Sequence, residues 1–328
     1  MKKINICVVG LGSMGRRRIK ILKKEKNINI IGVDINFQRA EKEKKELGIK
    51  VYSTLKEAIN NESINSVFVC TSPIHHGQII NESLQNDINV FSEINLIDDL
   101  YEKNIKLAKK KNLVLFLSST FLYKKDINFI IDKIEHNKEK INYVYHVGQY
   151  LPDWHPWESY KDYFVNEIKT NGCREIMAIE FPWIISAFGA IKNKTVIKNR
   201  ISKLKLKYND NFMIQLNHVN GNKGMIEIDV VSRKAVRRLE VFGENIYLSW
   251  EGTPDSLMEY EVQKKRFKNV FKSTRYKHNK DYADFVVEDP YEEEVKTFLK
   301  LIKNKKCDVP WDFKKDQKVL KIIDEIEK

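Results

Sequence analysis

The chain has 328 residues, 42% of them hydrophobic, and 58 lysines and arginines stand against 45 aspartates and glutamates. This length allows two domains with cores of their own, and the composition excludes an intrinsically disordered protein. No apolar run reaches the roughly 18 residues that span a bilayer. The net charge of +13 comes mainly from lysines mixed with glutamates in helical segments. We expect these charges to form a solvated surface. The second explanation of the positive charge is that it attracts a small anionic molecule. We expect no nucleic-acid or membrane partner.

The first 120 residues alternate between strand and helix patterns. The expected strands are Ile4–Val9, Ile28–Val33, Val51–Tyr52, Ser66–Cys70, Asn89–Ser92 and Leu113–Leu117. The expected helices are Met14–Glu25, Gln38–Leu47, Leu55–Asn60, Gln78–Gln85 and Tyr101–Lys110. Strands that are apolar on both faces and separated by single helices predict a doubly wound parallel sheet, the Rossmann-type α/β architecture, over residues 1–120.

The pattern changes after Phe121. We expect helices at Ile127–Glu135, Glu175–Phe188, Tyr291–Lys303 and Lys314–Glu327, and strands at 142–148, 203–208, 211–219, 225–232, 236–243 and 245–250. The NG and GNKG turn signals favour antiparallel hairpins. Residues 121–328 are therefore predicted to form an α+β domain with a mostly antiparallel sheet, and the terminal helices are candidates to pack back on the first domain.

A glycine loop joins the first strand to the first helix. Ile4–Gly15 reads INICVVGLGSMG, which places Gly10, Gly12 and Gly15 in GxGxxG spacing. The first glycine permits a tight turn, the second lets the backbone approach a pyrophosphate, and the third lets helix and strand pack closely. The N–H groups near Ser13 and Met14 then face the phosphates at a helix N-terminus. This context predicts a dinucleotide cofactor.

The second strand ends at Asp34, about 20 residues after the glycine loop, where a carboxylate accepts hydrogen bonds from the adenosine ribose hydroxyls. A carboxylate there repels a 2′-phosphate, so the sequence favours NAD over NADP. Arg39 lies close enough to stack on adenine or bind a phosphate, and this keeps NADP open. We expect Arg16–Arg18 to lie on a solvated helix face. The alternative is that they help to bind the pyrophosphate.

Three segments resemble the Gfo/Idh/MocA superfamily, the relatives of glucose–fructose oxidoreductase and inositol dehydrogenase. VVGLGSMGRRRIK resembles the family's first strand–loop–helix, CTSPIHHGQII its ATPxxxH signature, and NVFSEINL the segment that normally reads VxxEKPL. The resemblance covers most of the chain and implies an NAD-dependent oxidoreductase. It also implies that Thr71, Ser72 and Pro73 line the nicotinamide side, and it adds His76 and Glu93 to the cofactor-binding set.

Two positions depart from that family's pattern. Ile94 stands where the family has the lysine of Glu-Lys-Pro, and Ile179 stands where it has the histidine of an Asp-xxx-His pair, while Glu175 keeps the carboxylate. Isoleucine cannot exchange a proton, and a positioned acid or base contributes on the order of 10²–10⁴-fold in rate. The resemblance therefore implies a non-standard proton-transfer set.

An aromatic stretch offers replacements for these groups. It contains Trp154, His155, Pro156, Trp157 and Glu158, followed by Tyr160 and Tyr163. An apolar wall with a few polar groups is typical of a small-molecule site. In this hypothesis His155 is the general base, Glu175 or Glu180 orients it, and the candidate catalytic set is His155, Glu175 and Tyr160. The alternative, that both tryptophans plug the core and His155 is an ordinary loop residue, stays open. Pro182 predicts either a helix break that directs Glu180 or Phe181 towards the site or a simple kink.

We therefore predict an NAD-dependent oxidoreductase that acts on a sugar or sugar-nucleotide. Surface-glycan biosynthesis is a candidate setting, because the aromatic stretch resembles superfamily members associated with bacterial surface sugars. Two alternatives stay open: a catalytically silent NAD- and sugar-binding sensor or partner protein, and an epimerase or eliminase that uses tightly bound NAD transiently. Cys7, Cys70, Cys173 and Cys307 lack CxxC spacing, so we expect a cytoplasmic protein without a metal site. By family resemblance we also expect a homo-oligomer.

Overall fold

The computed structural model describes residues 3–155, 158–272, 286–303 and 305–328. The chain divides into two compact units. The first unit comprises Met1–Ser119 and Tyr291–Leu320, and the second comprises Thr120–Pro290 and Lys321–Lys328. Among the described residues, no helix combines the length and the apolar character that a bilayer span requires.

The first unit contains a six-stranded sheet in the order β3-β2-β1-β4-β5-β6, and every neighbouring pair is parallel. Its strands are β1 (Ile4–Val9), β2 (Ile28–Val33), β3 (Lys50–Tyr52), β4 (Ser66–Val69), β5 (Asn89–Ser92) and β6 (Leu115–Leu117). The helices between them are α1 (Ser13–Leu22), α2 (Phe37–Leu47), α3 (Leu55–Asn61), α4 (His76–Gln85) and α5 (Tyr101–Lys111). The predicted doubly wound parallel sheet is confirmed. Its strand order reverses beside β1, the topological position at which such sheets bind their ligands.

A late segment of the chain completes the core of the first unit. Helix α8 (Asp289–Ile302) carries Phe298, whose ring is fully buried. That ring meets Phe68 and Phe91 edge-on, with ring centroids 5.2 and 5.6 Å apart. Phe91 in turn stacks on Phe116 at 5.0 Å. Three neighbouring strands and α8 therefore share one aromatic cluster, which anchors the helix on the parallel sheet.

The second unit contains an eight-stranded sheet in the order β14-β13-β12-β11-β7-β10-β9-β8. Its strands are β7 (Asn142–Gly148), β8 (Ile191–Asn199), β9 (Asn211–His218), β10 (Lys223–Asp229), β11 (Val236–Phe242), β12 (Tyr247–Trp250), β13 (Met258–Glu261) and β14 (Arg266–Asn269). Strands β7 and β10 pair in parallel and the other pairs are antiparallel, so the predicted mostly antiparallel sheet is confirmed. The helices are α6 (Lys125–Glu135), α7 (Gly172–Phe188) and α9 (Phe313–Glu327), whose first residues belong to the first unit.

The structure differs from the predicted strands of this unit at one predicted strand and at three that were not predicted. Residues 203–208 alternate in burial but pair with no strand, because the Asp210 carboxylate binds the N–H groups of Ile201 and Ser202 and closes the segment into a loop. Leu206 and Tyr208 still reach the core from that loop. The sequence also did not reveal β8, β13 and β14. Strand β8 reads IKNKTVIKN and, among the described strands, pairs with β9 alone. Its polar composition suits an edge strand.

Helix α7 runs unbroken through Pro182, so of the two alternatives at this proline the helix break is wrong. The helix packs against β9 and β10, and the side chains of Glu180 and Phe181 are fully buried. A proline ring tolerates a helix interior when the surrounding packing holds the helix in place, although it removes one backbone hydrogen bond. Glu175 lies near the beginning of the same helix, and Asn171 caps it by accepting a hydrogen bond from the Arg174 N–H at 2.8 Å.

Candidate functional site

The glycine loop leaves no room for side chains at two of its three glycines. Gly10 has a φ of +92°, and a Cβ atom there would lie 2.6 Å from the Cys70 carbonyl oxygen. A Cβ atom at Gly15 would lie 1.9 Å from the Gly10 carbonyl oxygen, which is possible only if the helix moves away from the strand. The chain therefore requires glycine at both positions to bring α1 onto the end of β1.

Gly12 differs from the other two, because a Cβ atom there would have only one close neighbour among the described residues, Arg39 Nη1 at 3.5 Å. The space beside Gly12 is thus available to a ligand, as expected where a pyrophosphate approaches the backbone. Helix α1 begins at Ser13, so the N–H groups of Ser13 and Met14 belong to its first turn. The donor set of this loop fits a dinucleotide phosphate.

Asp34 holds the loop in place from the end of β2. Its Oδ2 accepts the Leu11 N–H at 2.9 Å and its Oδ1 accepts the Asn36 N–H at 2.8 Å. Arg39 Nε lies 3.7 Å from the same carboxylate, and the Arg39 side chain is half exposed. Each carboxylate oxygen can accept more than one hydrogen bond, so Asp34 retains acceptor capacity for ribose hydroxyls.

The segment after β4 forms the turn that carries Thr71, Ser72 and Pro73. His76 braces this turn from the start of α4: its Nε2 lies 2.9 Å from the Thr71 carbonyl oxygen and its Nδ1 lies 2.8 Å from Asn95 Oδ1. The imidazole is 1% exposed, and burial lowers its pKa. His76 thus has a structural contact at each ring nitrogen and fixes the backbone of the turn.

Glu93 lies in a buried ion-pair network. Arg18 Nε donates to Glu93 Oε1 at 2.6 Å, and Arg18 Nη2 donates to Glu294 Oε2 at 2.7 Å. The Arg18 guanidinium is fully buried, and Arg17 is 8% exposed. The expectation of a solvated helix face is therefore wrong for these two arginines. The two glutamates that bind Arg18 lie directly after β5 and in α8, too far along the chain for helical periodicity to reveal them.

Ile94 follows this network directly and is partly exposed. Its correspondence to the lysine of the resembling family stays a prediction, and the next residue is Asn95. Ile179 is also partly exposed and lies one helical turn after Glu175 on the same face of α7. Both side chains are apolar, so neither can exchange a proton.

His155 contacts a glutamate other than the two that were predicted to orient it. Its Nδ1 lies 2.8 Å from Glu158 Oε1, and its ring stacks on Tyr163 with the centroids 4.7 Å apart. The role of Glu180 as the orienting group is wrong, because its carboxylate is fully buried and occupied elsewhere. It accepts hydrogen bonds from the side chains of Arg237, Tyr145 and Trp183.

The rest of the aromatic stretch shows both structural and exposed residues. Trp154 Nε1 donates to the Gln149 carbonyl oxygen at 3.0 Å, and the indole ring lies against Gly172 at the start of α7. Tyr160 is partly exposed, with the Lys161 ammonium 5.9 Å from its ring. Pro156 and Trp157 lie outside the described residues. Trp154 therefore packs against the helix that carries Glu175.

Glu175 has an enclosed carboxyl oxygen. The residue as a whole is partly exposed, but Oε2 has no accessible surface and no hydrogen-bond partner in the described part of the chain. Burial raises the pKa of Glu175 from 4.5 to about 7. A carboxyl with this pKa exchanges a proton readily near neutral pH, which suits a general acid or base.

Tyr163 was not in the predicted catalytic set, yet it too has an enclosed polar atom. Its hydroxyl is enclosed and, within the ranges described, also lacks a hydrogen-bond partner. Burial, together with the negative charges of Glu175 and Glu158, raises the pKa of Tyr163. The only signal in the sequence was membership of the aromatic stretch, which cannot distinguish Tyr163 from Tyr160.

Comparison with known proteins agrees with this geometry. Residues 4–119 match the GFO_IDH_MocA model, described as an oxidoreductase family with an NAD-binding Rossmann fold, which confirms the predicted NAD cofactor. Similar solved structures include UDP-N-acetylglucosamine 3-dehydrogenase GnnA from Acidithiobacillus ferrooxidans, with 15% identity and a TM-score of 0.77 over 100% of this chain and 97% of that one. Another is the WlbA dehydrogenase from Bordetella pertussis in complex with NADH and UDP-GlcNAcA, with 13% identity and a TM-score of 0.77 over 99% and 95%. A third is GenD2 from gentamicin A biosynthesis in complex with NAD, with 14% identity and a TM-score of 0.76 over 100% and 95%.

At these identities the structural likeness concerns the fold alone. Comparison with curated protein sequences gives no match.

Proposed function

We propose that this chain, whose residues 4–119 belong to the Gfo/Idh/MocA family of NAD-binding oxidoreductases, oxidises or reduces a sugar or sugar-nucleotide. The observation that supports NAD-dependent redox chemistry is the geometry of the glycine loop. The Leu11–Asp34 hydrogen bond holds this loop, and there is space for a ligand beside Gly12. The substrate class is supported by the names of GnnA and WlbA, which refer to UDP-linked sugars. An anionic sugar-nucleotide also suits a net charge of +13.

The residues of the first unit would hold the cofactor. The loop Gly10–Gly15 and the first N–H groups of α1 face the pyrophosphate in this proposal, and Asp34 accepts from the adenosine ribose hydroxyls. Thr71 and Ser72 would line the nicotinamide side. When bound, NAD supplies the hydride acceptor, and the protein supplies orientation and electrostatics.

The second unit would handle the proton. Glu175 is the proposed general base, because its pKa of about 7 lets both protonation states exist near neutral pH. His155, held by Glu158, is the second candidate for this role, and Tyr160 completes the predicted set. In the oxidising direction the carboxylate would accept the hydroxyl proton of the sugar, and in the reducing direction the carboxyl would return it.

A second candidate function is a sensor or partner protein that binds NAD and a sugar without turnover. Ile94 and Ile179 favour it, because both usual proton-transfer positions are apolar. This candidate predicts NAD binding without net oxidation or reduction of any sugar.

The test combines the purified protein with NAD and a panel of free sugars and UDP-sugars, and it follows NADH absorbance and product mass. We expect NADH to form with at least one sugar and to require Asp34. The matched control is Asp34→Ala, which should weaken NAD binding and lower turnover together. NAD binding without NADH or oxidised product across the whole panel would contradict the oxidoreductase proposal and favour the sensor.

A further inference from the structure

The Arg39 side chain lies between the two elements that define the adenosine end of the cofactor site. Its Nε lies 3.7 Å from Asp34 Oδ2 at the end of β2. Its Nη1 lies 3.5 Å from the position that a Cβ atom at Gly12 would take in the glycine loop. In sheets of this kind the adenosine ribose binds between that acidic residue and that loop, and we call this space the ribose subsite. The guanidinium group therefore borders the ribose subsite.

Backbone contacts fix the base of this side chain. Asp34 Oδ1 accepts the Asn36 N–H at 2.8 Å, and Asn36 Oδ1 in turn accepts the Arg39 N–H at 3.0 Å. The second of these bonds caps the beginning of α2. Arg39 thus belongs to a turn that the Asp34 carboxylate itself holds, so the fold brings the cation and the carboxylate together.

The exposed charge at the ribose subsite is the guanidinium of Arg39, since the Asp34 carboxylate is enclosed. The Asp34 side chain is 5% exposed and the Arg39 side chain is 46% exposed. Both Asp34 oxygens already accept backbone N–H groups, those of Leu11 and Asn36. The 3.7 Å separation of Arg39 Nε from Asp34 is too long for a hydrogen bond. Within the described part of the chain no other acceptor binds the guanidinium, so its N–H donors are available to a ligand.

We propose that Arg39 lets the ribose subsite accept a 2′-phosphate, so that the chain binds NADP as well as NAD. A carboxylate alone at the end of β2 repels this phosphate, and that repulsion is a physical basis of selectivity for NAD. Here the positive charge of Arg39 offsets the negative charge of Asp34. A guanidinium also binds a phosphate through two parallel N–H···O bonds. NAD keeps its ribose contact, because the carboxylate retains acceptor capacity.

Two other uses of Arg39 predict a different result. Its Nη1 lies beside Gly12, where the backbone approaches the pyrophosphate, and a planar guanidinium can also stack on adenine. The pyrophosphate and the adenine are common to NAD and NADP, whereas the 2′-phosphate belongs to NADP alone. The ratio of the two affinities therefore distinguishes the proposed role of Arg39 from both of the others.

The test is calorimetric titration of the full chain with NAD and with NADP in the absence of any sugar. We expect wild type to bind NADP with a Kd within ~10-fold of its Kd for NAD. Arg39→Ala should weaken NADP binding by about 10–10²-fold, the range of a lost hydrogen bond to a charged group, and should change NAD binding by less than ~3-fold. Arg39→Lys keeps the charge but not the planar fork, so its NADP affinity should lie between those of wild type and Arg39→Ala.

Lys42→Ala is the matched control for charge. Lys42 lies on the same helix as Arg39, its side chain is 63% exposed, and its ammonium lies 4.0 Å from Glu46. This variant removes one positive charge from α2 and leaves the guanidinium at the ribose subsite. Its affinities for NAD and NADP should match those of wild type. Circular dichroism and thermal melts establish that each variant is folded.

Three results would overturn the proposal. The first is a wild type that binds NADP ~10²-fold or more weakly than NAD, as expected where the Asp34 carboxylate alone decides selectivity. The second is an Arg39→Ala variant in which the ratio of the two affinities equals that of wild type, because Arg39 would then serve the pyrophosphate, the adenine or neither. The third is an equal loss of NADP affinity in Lys42→Ala, because a general effect of charge would then explain the result.

These outcomes are separate from those of the oxidoreductase proposal. The titrations measure binding and need no substrate, so a failure to oxidise any sugar with either cofactor would contradict the oxidoreductase proposal and leave the measured affinities unchanged. Conversely, a wild type that oxidises a sugar with NAD and fails to bind NADP would overturn the role of Arg39 and leave the oxidoreductase proposal intact.

Discussion

Replacing Glu175 with glutamine should change the pH dependence of stability in a defined direction. The folded protein raises the pKa of this carboxyl from 4.5 to about 7, so the folded state binds the proton more tightly than the unfolded state does. Proton binding by Glu175 therefore stabilises the folded state fully below about pH 4.5, and this stabilisation is lost as the pH rises through about 7. Above pH 7 the folded wild type contains an enclosed, negatively charged carboxylate. In the variant the neutral amide of glutamine takes its place.

The shift from 4.5 to about 7 corresponds to roughly 3 kcal/mol at about 1.36 kcal/mol per pKa unit. Because the side chain is partly exposed, solvent screening reduces this, and we expect a change of about 2 kcal/mol. Glu175→Gln should therefore gain about 2 kcal/mol of unfolding free energy relative to wild type between about pH 4.5 and about pH 8.5.

Urea unfolding of both proteins at several pH values across this range measures the difference directly. Subtracting wild type from variant removes the titration of all other groups. Glu167→Gln, at an exposed glutamate near the beginning of α7, supplies the baseline. The raised pKa of Glu175 would be refuted by either of two results. One is a difference in unfolding free energy that does not change with pH, and the other is a wild type that becomes more stable relative to the variant as the pH rises.

Three further predictions follow from the first unit. Arg18→Ala should destabilise the protein by about 3–5 kcal/mol in urea unfolding, because two buried glutamates lose their shared cation; a loss below ~1 kcal/mol would show that the network is dispensable. Asp34→Ala should weaken NAD binding at least ~10-fold in calorimetric titration, because the loop loses its anchor and the ribose its acceptor; unchanged affinity would contradict this role. Gly10→Ala should abolish NAD binding, since its Cβ atom would collide with backbone, whereas Gly48→Ala, where the space is open, should cost only about 1 kcal/mol and leave binding intact.

Local patterns predicted the first unit well. The strand Ile4–Val9, the glycine spacing and the C-terminal Gly48 of α2 are short-range signals, and each depends on backbone chemistry within a few residues. Gly48 adopts a φ of +60°, the left-handed conformation that ends helices. The parallel order then follows from right-handed crossovers.

Long-range pairing was the part that the sequence did not reveal. In the sequence Arg18 is one of three arginines on a helix surface, yet its partners lie directly after β5 and in α8 near the end of the chain. The edge strand β8 lacked an apolar pattern, because an edge position needs little burial. Neither feature has a local signature that could have indicated it.

The candidate proton-transfer site stays a prediction. The family pattern pointed to Glu175, and the structure gives this residue an enclosed oxygen. The choice among the residues of the aromatic stretch depended on tertiary contacts: Glu158 contacts His155, Glu180 is committed to Arg237, and Tyr163 stacks on the imidazole. Sequence spacing cannot rank groups that converge through an irregular loop.

The central claim is that Glu175 serves as the proton acceptor in NAD-dependent oxidation of a sugar. The direct measurement is the rate of NADH formation by wild type and Glu175→Gln, side by side, on the best sugar of the panel and as a function of pH. We predict a wild-type rate that rises with pH to a plateau above about 7, and a variant rate at least ~10²-fold lower with unchanged NAD affinity. Equal rates in the two proteins at every pH would contradict the account.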